Sequence, residues 1–372
     1  MKKQRIPAIE YIRGISMLGV IGIHTGSQYL SNPASNIHLV AMFEIFTRFS
    51  VPIFFFISAF GLFYNLNLQD RFDYRDFMRR RFKTVLVPYL VWSLFYVLHY
   101  TFLYHDASLL SPLTFLRYLF FGFACYQLYF LVIMLWFYLF MPVWIYLIKH
   151  MTAVRLLLLL ALQIAFDYYS SFIMNPYGIE NLLLKSLLVY RLNYWVFHYV
   201  FIFLLGGWLA VHYEAFQKFM QEKRRLITIF FFGSMTALLA YYYELIFSRG
   251  YTAEEAINTA HQLSPAGIFY TIAASVFFFT IFSYNKYPAR LHSLLSVLGR
   301  HSYFAYLFHP VLITYLSLGL AAGNRVMTGT TAIIFYLVVA AGSIAIGALC
   351  RRLGDKFPLL NTLTIGVYPK KQ

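Results

Sequence analysis

Long apolar runs recur along nearly the whole chain and constrain its fold more than any other feature. A helix of about 20 apolar residues crosses a hydrocarbon core about 30 Å thick, because each residue rises about 1.5 Å. This length predicts about ten spans, and so an all-α, polytopic transmembrane helical bundle. The aromatic stretch from Phe115 to Phe123 contains Arg117 and is predicted to be an interfacial helix instead. The predicted spans begin near Ile9, Val40, Thr84, Tyr126, Thr152, Asn193, Leu226, Ala266, Leu294 and Thr330.

The composition agrees with this fold. The chain is 60% hydrophobic and only 12% charged, whereas soluble domains are about 45–50% apolar and about 25% charged. A soluble globular enzyme, a disordered chain and a disulfide scaffold are therefore excluded. We expect a single integral-membrane domain over residues 1–372, without an appended soluble domain. Cys125 and Cys350 have neither a metal-binding nor a redox spacing, so no bound metal is expected.

The basic residues cluster in alternate connections between the apolar runs. Lys and Arg number 30 against 14 Asp and Glu, which gives a formal net charge of +16. Because basic residues accumulate on the cytoplasmic side, both termini are predicted to face the cytoplasm. We expect a multi-pass protein of the cell membrane, in contact with membrane lipids. Nucleic-acid binding is not expected, since no soluble basic domain is present to carry it. The sequence does not indicate an oligomeric state.

Arg13 and His24 are ionisable residues within the predicted first span, where they are costly and hence functional candidates. Their separation corresponds to about three helical turns, so both side chains project from one face about 16 Å apart. Arg13 is alternatively a snorkelling side chain beside Glu10, and His24 a hydrogen-bonded packing residue. Because the two residues share one face of the helix, we favour the interpretation that both line a cavity.

Later predicted spans carry three more ionisable candidates. Glu44 is predicted at a depth similar to that of His24, and Arg48 follows it at the i, i+4 spacing of a helical ion pair. Either the two form a structural ion pair, or Glu44 orients and charges His24. His309 is predicted near the middle of the ninth span, where structural and catalytic roles are equally open.

The predicted cytoplasmic segment from Arg71 to Lys83 is amphipathic and strongly basic. One interpretation is an interfacial helix that follows the positive-inside bias. The other is an anion site for a phosphorylated cytosolic ligand.

Four ordered elements resemble the membrane acyltransferase-3 family. They are the spacing of Arg13 and His24, the run from Val51 to Gly61, the basic segment before the run Val87 to Ser93, and the Ser302…His309-Pro310 element. The resemblance covers the chain from Tyr11 to about Leu349. It implies a polytopic membrane protein that moves an acyl group, often acetyl, from cytosolic acyl-CoA to an extracytoplasmic glycan or glycolipid. Ala59 departs from the family's usual glycine, and the basic segment lacks a strict Arg-x-x-Arg.

Chemical roles follow for an O-acyltransferase. His24 is predicted to be the general base, because imidazole titrates near neutral pH. Glu44 is predicted to fix its tautomer, and His309 to contact the acceptor or the thioester. A double displacement through an acyl-enzyme on histidine or on Ser58 stays open. Acyl-CoA is expected as a donor substrate rather than a bound cofactor. The predicted donor-binding residues are Arg13, Arg80, Arg81 and Lys83, and the further candidates are Arg48 and Ser302.

The competing hypothesis is a transporter or exporter of a polysaccharide or small metabolite. Arg13, His24 and Glu44 would then line a substrate path or a proton relay. Transporters are commonly built from internal repeats with paired broken helices, and the sequence shows no corresponding halves. The sequence therefore favours the enzyme.

Overall fold

A computed structural model describes residues 5–30, 37–323 and 327–367 of the protein. Within these ranges the chain is helical over most of its length and contains no strand. An α-helix satisfies its own backbone hydrogen bonds, which is what a chain in lipid requires. The predicted all-α fold is confirmed for this part of the chain. The following basic residues used to predict the topology lie outside the described residues: Lys2, Lys3, Arg325, Lys370 and Lys371.

The α-helices are numbered here in chain order. The first nine are α1 (Pro7–Leu30), α2 (Ile37–Thr47), α3 (Ser50–Tyr64), α4 (Tyr74–Arg81), α5 (Val87–Tyr104), α6 (Pro112–Phe121), α7 (Tyr129–Leu139), α8 (Met141–Lys149) and α9 (Ala153–Tyr168). The others are α10 (Leu182–Val189), α11 (Val200–Val211), α12 (Tyr213–Glu222), α13 (Arg224–Arg249), α14 (Ala253–Thr259), α15 (Pro265–Tyr284), α16 (Ala289–Ala322), α17 (Gly329–Lys356) and α18 (Pro358–Ile365). Short π-helical segments follow α4 and α9 at Phe82–Leu86 and Tyr169–Ile173.

Seven helical segments within the described ranges are long and apolar enough to cross a membrane, and the number rises to nine if each of two bent pairs is one span. The bent pairs are α7 with α8, at 63°, and Val196–Val211 with α12, at 96°. α1 is not among the nine, since Glu10, Arg13 and His24 reduce its apolar character. Every predicted span nevertheless coincides with one of these helices, a bent pair or α1. The protein is a multi-pass membrane protein, whereas the count of ten and the orientation of the termini stay predictions.

The helices group into two compact units. The first comprises Met1–Asn67, Met151–Phe172 and Tyr199–Ile344, and the second comprises Leu68–His150, Ile173–His198 and Ala345–Gln372. The prediction of one domain over the whole chain stays a prediction.

The second unit is organised around α5. Tyr89 donates a hydrogen bond to the carbonyl of Leu119 at 2.6 Å, which connects α5 to α6. Trp92 donates from Nε1 to the carbonyl of Thr364 at 2.9 Å, which fixes α18 against the same helix. α6 is a separate short helix over most of the stretch predicted to be interfacial.

The close approach of α1 and α16 is one of the main packing contacts of the first unit. A Cβ atom added to Gly299 would lie 2.2 Å from the carbonyl oxygen of Glu10, and one added to Gly14 would lie 2.9 Å from the nitrogen of Gly299. The backbones of α1 and α16 are therefore in direct contact at these glycines, because glycine has no side chain to hold them apart. Small residues commonly permit such approaches in membranes, where apolar side chains gain little by leaving lipid.

This contact predicts that a glycine-to-alanine substitution destabilises the protein at one position of α16 and not at another. Gly299→Ala places a methyl group against backbone, so we expect the free energy of unfolding to fall by about 1–3 kcal/mol. Gly319→Ala meets nothing within 4 Å and should be neutral or slightly stabilising, because alanine favours helix more than glycine does. Thermal unfolding of the detergent-purified variants measures both. Equal stability of the two variants would contradict the proposed backbone contact.

Candidate active site

Two histidines from distant parts of the sequence meet inside the first unit. His24 of α1 and His309 of α16 stack with ring centroids 5.4 Å apart and ring planes inclined by 20°. His309 is fully buried, and His24 is half-buried. Because α1 and α16 approach so closely, the two rings can make this contact. The site therefore contains two groups capable of proton transfer side by side.

Pro310, the residue after His309, alters the backbone hydrogen bonding beside the histidine ring. Pro310 has no N–H, so the carbonyl of Tyr306, four residues earlier, loses its normal helical donor. The His309 ring lies beside this part of the backbone and donates from Nδ1 to the carbonyl of Ala305 at 3.1 Å. When the ring is neutral, a proton on Nδ1 leaves Nε2 as a proton acceptor.

Glu44 and Arg48 form a buried ion pair near this site. Nη2 of Arg48 lies 3.4 Å from Oε2 of Glu44, and the two side chains are only 13% and 3% exposed. The other carboxylate oxygen, Oε1, faces α1, since a Cβ atom at Gly26 would lie 2.7 Å from it. Within the described residues, Oε1 has no hydrogen-bond partner. The structure thus supports the ion-pair interpretation directly, and the orientation of His24 by Glu44 stays a prediction.

Arg48 lies where the predicted second span is interrupted between α2 and α3. Pro52, four residues later, cannot donate to the carbonyl of Arg48, which favours a break at this point. One of the backbone carbonyls at this break, that of Phe46, accepts a hydrogen bond from the hydroxyl of Tyr270 at 2.7 Å. The Arg48 guanidinium also donates to the carbonyl of Ile257 in α14 at 3.2 Å. The break therefore places a cation between a buried carboxylate and the connection between α13 and α15.

The remaining candidates of the first unit occupy less distinctive positions. Arg13 is exposed on α1, while the neighbouring Glu10 forms an ion pair with Arg5. Ser302 is buried, and its hydroxyl donates to the carbonyl of Gly299 at 2.8 Å, as serine commonly does within a helix. Ser58 is half-buried on α3.

The other predicted donor-binding residues belong to the second unit. Arg80 is largely exposed on α4 and forms an ion pair with Asp76. The guanidinium of Arg81 stacks over the rings of Phe77 and Tyr138, at 5.3 and 5.2 Å from their centroids. Lys83 is exposed in the π-helical segment after α4. Such a guanidinium, held by stacking at a surface, is suited to bind a phosphate.

Sequence reasoning missed a buried carboxyl group in α9. Asp167 is fully buried and accepts a hydrogen bond from Nε2 of Gln163 at 2.9 Å. The side-chain oxygen of Gln163 accepts from the backbone N–H of Phe201 at 3.1 Å, which links α9 to α11. The available signal was the i, i+4 spacing of two polar residues within an apolar run. Across the described ranges, no group of three His, Cys, Asp or Glu residues is arranged to hold a metal ion.

The acyltransferase-3 family model, which describes an acyltransferase domain, matches residues 6–352. The chain belongs to the acyltransferase-3 family. It is also 25% identical over 326 residues to proteins of Staphylococcus aureus strains MRSA252 and MSSA476, each named "Probable poly-beta-1,6-N-acetyl-D-glucosamine export protein". The match covers 85% of this chain and 84% of each relative. No solved structure matches the chain.

The family match spans both the histidine pair and the basic segment of α4. In this acyltransferase-3 protein, the close contact of α1 and α16 brings the first and last elements of the resemblance together. His24 belongs to the first element and His309 to the last, and the two rings are in contact. The sequence treated them as separate candidates, and the structure joins them in one site.

The buried ion pair predicts a specific pattern of stability. Arg48→Ala leaves the Glu44 carboxylate buried without its counter-charge, so we expect a loss of about 3–5 kcal/mol in the free energy of unfolding. The double variant Glu44→Gln/Arg48→Met removes both charges and should recover most of that loss. Thermal unfolding in detergent measures the two effects. An Arg48→Ala protein as stable as the parent would contradict a structural ion pair, and a stable but slow Glu44→Gln protein would favour the orienting role.

Proposed function

We propose that the protein is a membrane O-acyltransferase that transfers an acyl group, with acetyl as the first choice, from cytosolic acyl-CoA. The proposed acceptor is a hydroxyl group of an extracytoplasmic or lipid-linked glycan, and the proposed location is the cell membrane. The single observation that carries this proposal is the stacked pair His24–His309 inside the helical bundle of a member of an acyltransferase family. Hydroxyl attack on a thioester needs a base, and this pair supplies imidazole groups at a buried position.

The proposed reaction uses His24 as the base. The acceptor oxygen attacks the thioester carbonyl carbon, and His24 takes the hydroxyl proton. The carbon–sulfur bond then breaks, the new ester forms, and the proton passes from His24 to the departing CoA thiolate. The face of the neutral His309 ring stabilises the imidazolium of His24 in the interval.

The proposed donor-binding residues are Arg80 and Arg81 at the end of α4, Lys83 in the π-helical segment that follows, and Arg13 on α1. Coenzyme A carries phosphate groups at the end remote from the thioester. Arg80, Arg81 and Lys83 offer cationic hydrogen-bond donors to such groups, and Arg can bind a phosphate through two parallel hydrogen bonds. The contacts would hold the part of the donor that does not react.

The base assignment predicts a loss of turnover without a loss of donor binding. His24→Ala should lower turnover by about 10²–10⁴-fold, because it removes the group that accepts the proton. His24→Gln retains hydrogen bonding and should be nearly as impaired. His212→Gln changes an exposed histidine outside the site and serves as the control. Acyl transfer by the purified protein and a separate acyl-CoA binding assay measure the two effects. Full activity of His24→Gln would make His24 a structural residue.

The donor assignment predicts a change in KM. Each of Arg80→Gln, Arg81→Gln and Lys83→Gln should weaken acyl-CoA binding by roughly tenfold to a hundredfold, the effect of one lost charge-assisted contact. The value of kcat at saturation should be nearly kept, since these groups bind the non-reacting end. Arg75→Gln removes the same charge from α4 and controls for effects on topology. If KM for acyl-CoA is unchanged in all three variants, the donor site lies elsewhere.

Polysaccharide export is the second candidate function, and one observation favours it. The Staphylococcus aureus relatives are named as export proteins for poly-beta-1,6-N-acetyl-D-glucosamine. An exporter would use the intramembrane charges as a substrate path and would not consume acyl-CoA. Incubating purified protein with radiolabelled acetyl-CoA and a β-1,6-linked N-acetylglucosamine oligosaccharide separates the candidates. Label transferred to the oligosaccharide supports the enzyme, and complete inertness towards acetyl-CoA supports the exporter.

A further inference from the structure

We propose that a cluster of aromatic and charged side chains at the ends of α9 and α13 binds an uncharged pyranose unit of the acceptor glycan. The predicted topology places these helix ends on the extracytoplasmic side. The inference rests on the proposed O-acyltransferase function, because it assigns the acceptor's class. The cluster, called the outer cluster below, comprises Tyr168, Phe172, Tyr241, Glu244, Arg249 and His261.

One part of the outer cluster is a series of neighbouring aromatic rings. Tyr168 and Phe172 have ring centroids 5.4 Å apart, and Phe172 stacks on His261 at 5.8 Å with planes inclined by only 1°. Tyr168 is 49% exposed, so part of its ring can contact a ligand. Nδ1 of His261 accepts a hydrogen bond from the backbone N–H of Leu263 at 3.0 Å. In the neutral ring Nε2 therefore carries the proton and is a donor.

The other part of the outer cluster is polar. Nε of Arg249 donates to Oε1 of Glu244 at 3.0 Å, and both side chains are partly exposed. The second carboxylate oxygen of Glu244 is shielded from solvent and has no hydrogen-bond partner in the described part of the chain. Tyr241 lies three residues before Glu244 on α13, on the same side of the helix. It interacts electrostatically with Glu244, Arg249 and Tyr168, which relates the polar part to the rings.

These two kinds of group match the two kinds of surface on a pyranose ring. The C–H face of the sugar is apolar and packs against aromatic rings, which combine a large apolar surface with polar edges. The sugar hydroxyls both donate and accept hydrogen bonds. The carboxylate, guanidinium, phenol and imidazole groups of the outer cluster can supply the matching acceptors and donors. A lipid acyl chain would leave these polar groups without partners, at a cost.

The local charge indicates an uncharged sugar rather than an acidic one. Residues 244–264 contain one basic residue, Arg249, against the three acidic residues Glu244, Glu254 and Glu255. The net charge of this segment is therefore negative, whereas the chain as a whole has a net charge of +16. A carboxylated or phosphorylated glycan would be repelled here, because like charges raise the free energy of binding. Arg249 is in addition already neutralised by Glu244.

An aromatic girdle at the membrane surface is the alternative explanation of these rings. Tyrosine is enriched at membrane interfaces without binding any ligand. Tyr169 provides the matched control, since it is adjacent to Tyr168 and is 50% exposed against 49%. If the rings form only a girdle, substitution of either tyrosine should have the same effect. If the outer cluster binds sugar, only the substitution of Tyr168 should weaken binding.

The test measures acetyl transfer by the full-length protein in detergent, with a neutral N-acetylglucosamine oligosaccharide as the acceptor. We expect Tyr168→Ala and Glu244→Gln each to raise KM for the oligosaccharide by about 5–30-fold, the effect of one lost stacking or charged hydrogen-bond contact. The value of kcat and the KM for acetyl-CoA should change little, because the cluster does not contact the donor. Tyr169→Ala should leave all three values unchanged.

Equal effects of Tyr168→Ala and Tyr169→Ala, or an unchanged acceptor KM in every variant, would overturn the assignment. Preference of the parent protein for an oligogalacturonate of equal length would also overturn it. If the parent protein transfers no acetyl group to any glycan, the proposed function fails instead. Saturation-transfer NMR of the oligosaccharide with the protein then tests the cluster independently. Signal lost in Tyr168→Ala and kept in Tyr169→Ala supports the cluster, and signal absent from the parent rejects it.

Discussion

The backbone contact between α1 and α16 at Gly14 and Gly299 is the interaction on which the histidine pair depends. In lipid, apolar side chains gain little by turning away from the bilayer, so association rests on close packing and on polar contacts. Glycine permits close packing here because it lets the two helix axes approach. It also permits polar contacts, because side chains further along the two helices can then meet. His24 and His309 are such side chains. A bulkier residue at the crossing would separate the helices and with them the two rings.

The break in helical hydrogen bonding between α2 and α3 is partly compensated by a side chain from another helix. Tyr270 donates to the carbonyl of Phe46 at the break between α2 and α3. The guanidinium of Arg48 reaches the carbonyl of Ile257 as well as the carboxylate of Glu44. Unsatisfied backbone groups are expensive in a water-poor interior, so these contacts make an irregular backbone tolerable. The break in turn lets the Arg48 guanidinium contact both a carboxylate and a backbone carbonyl of another helix.

Much of this fold is predictable from the sequence, because hydropathy records the length of a membrane-crossing helix directly. The predicted span positions coincide with helices, and the basic segment before Val87 is the helix α4 with its continuation. The short helix α6 also lies where Arg117 interrupts an apolar stretch. The family resemblance on the spacing of Arg13 and His24 is confirmed by a match over nearly the whole chain.

Contacts between distant residues were not predictable, because a hydropathy profile contains no information on which helices are neighbours. The pairing of His24 with His309 depends on the packing of α1 against α16. The break before Ser50 was indicated only by Pro52, since the apolar run continues through it. Asp167 escaped notice because a single acid in a long apolar run barely changes its mean hydropathy, although its partner Gln163 lies one turn away.

The hydrogen bond from His309 to its own helix has a consequence for the conformational entropy of the site. A histidine side chain on a helix surface usually samples several rotamers, and ordering it during a reaction costs free energy. The Nδ1 donor of His309 is bound to the carbonyl of Ala305, in the turn that Pro310 interrupts, so the ring has become part of the backbone hydrogen-bonding pattern. Its orientation is therefore fixed when the chain folds rather than when a ligand arrives. Any ligand that contacts this ring meets a surface that is already ordered.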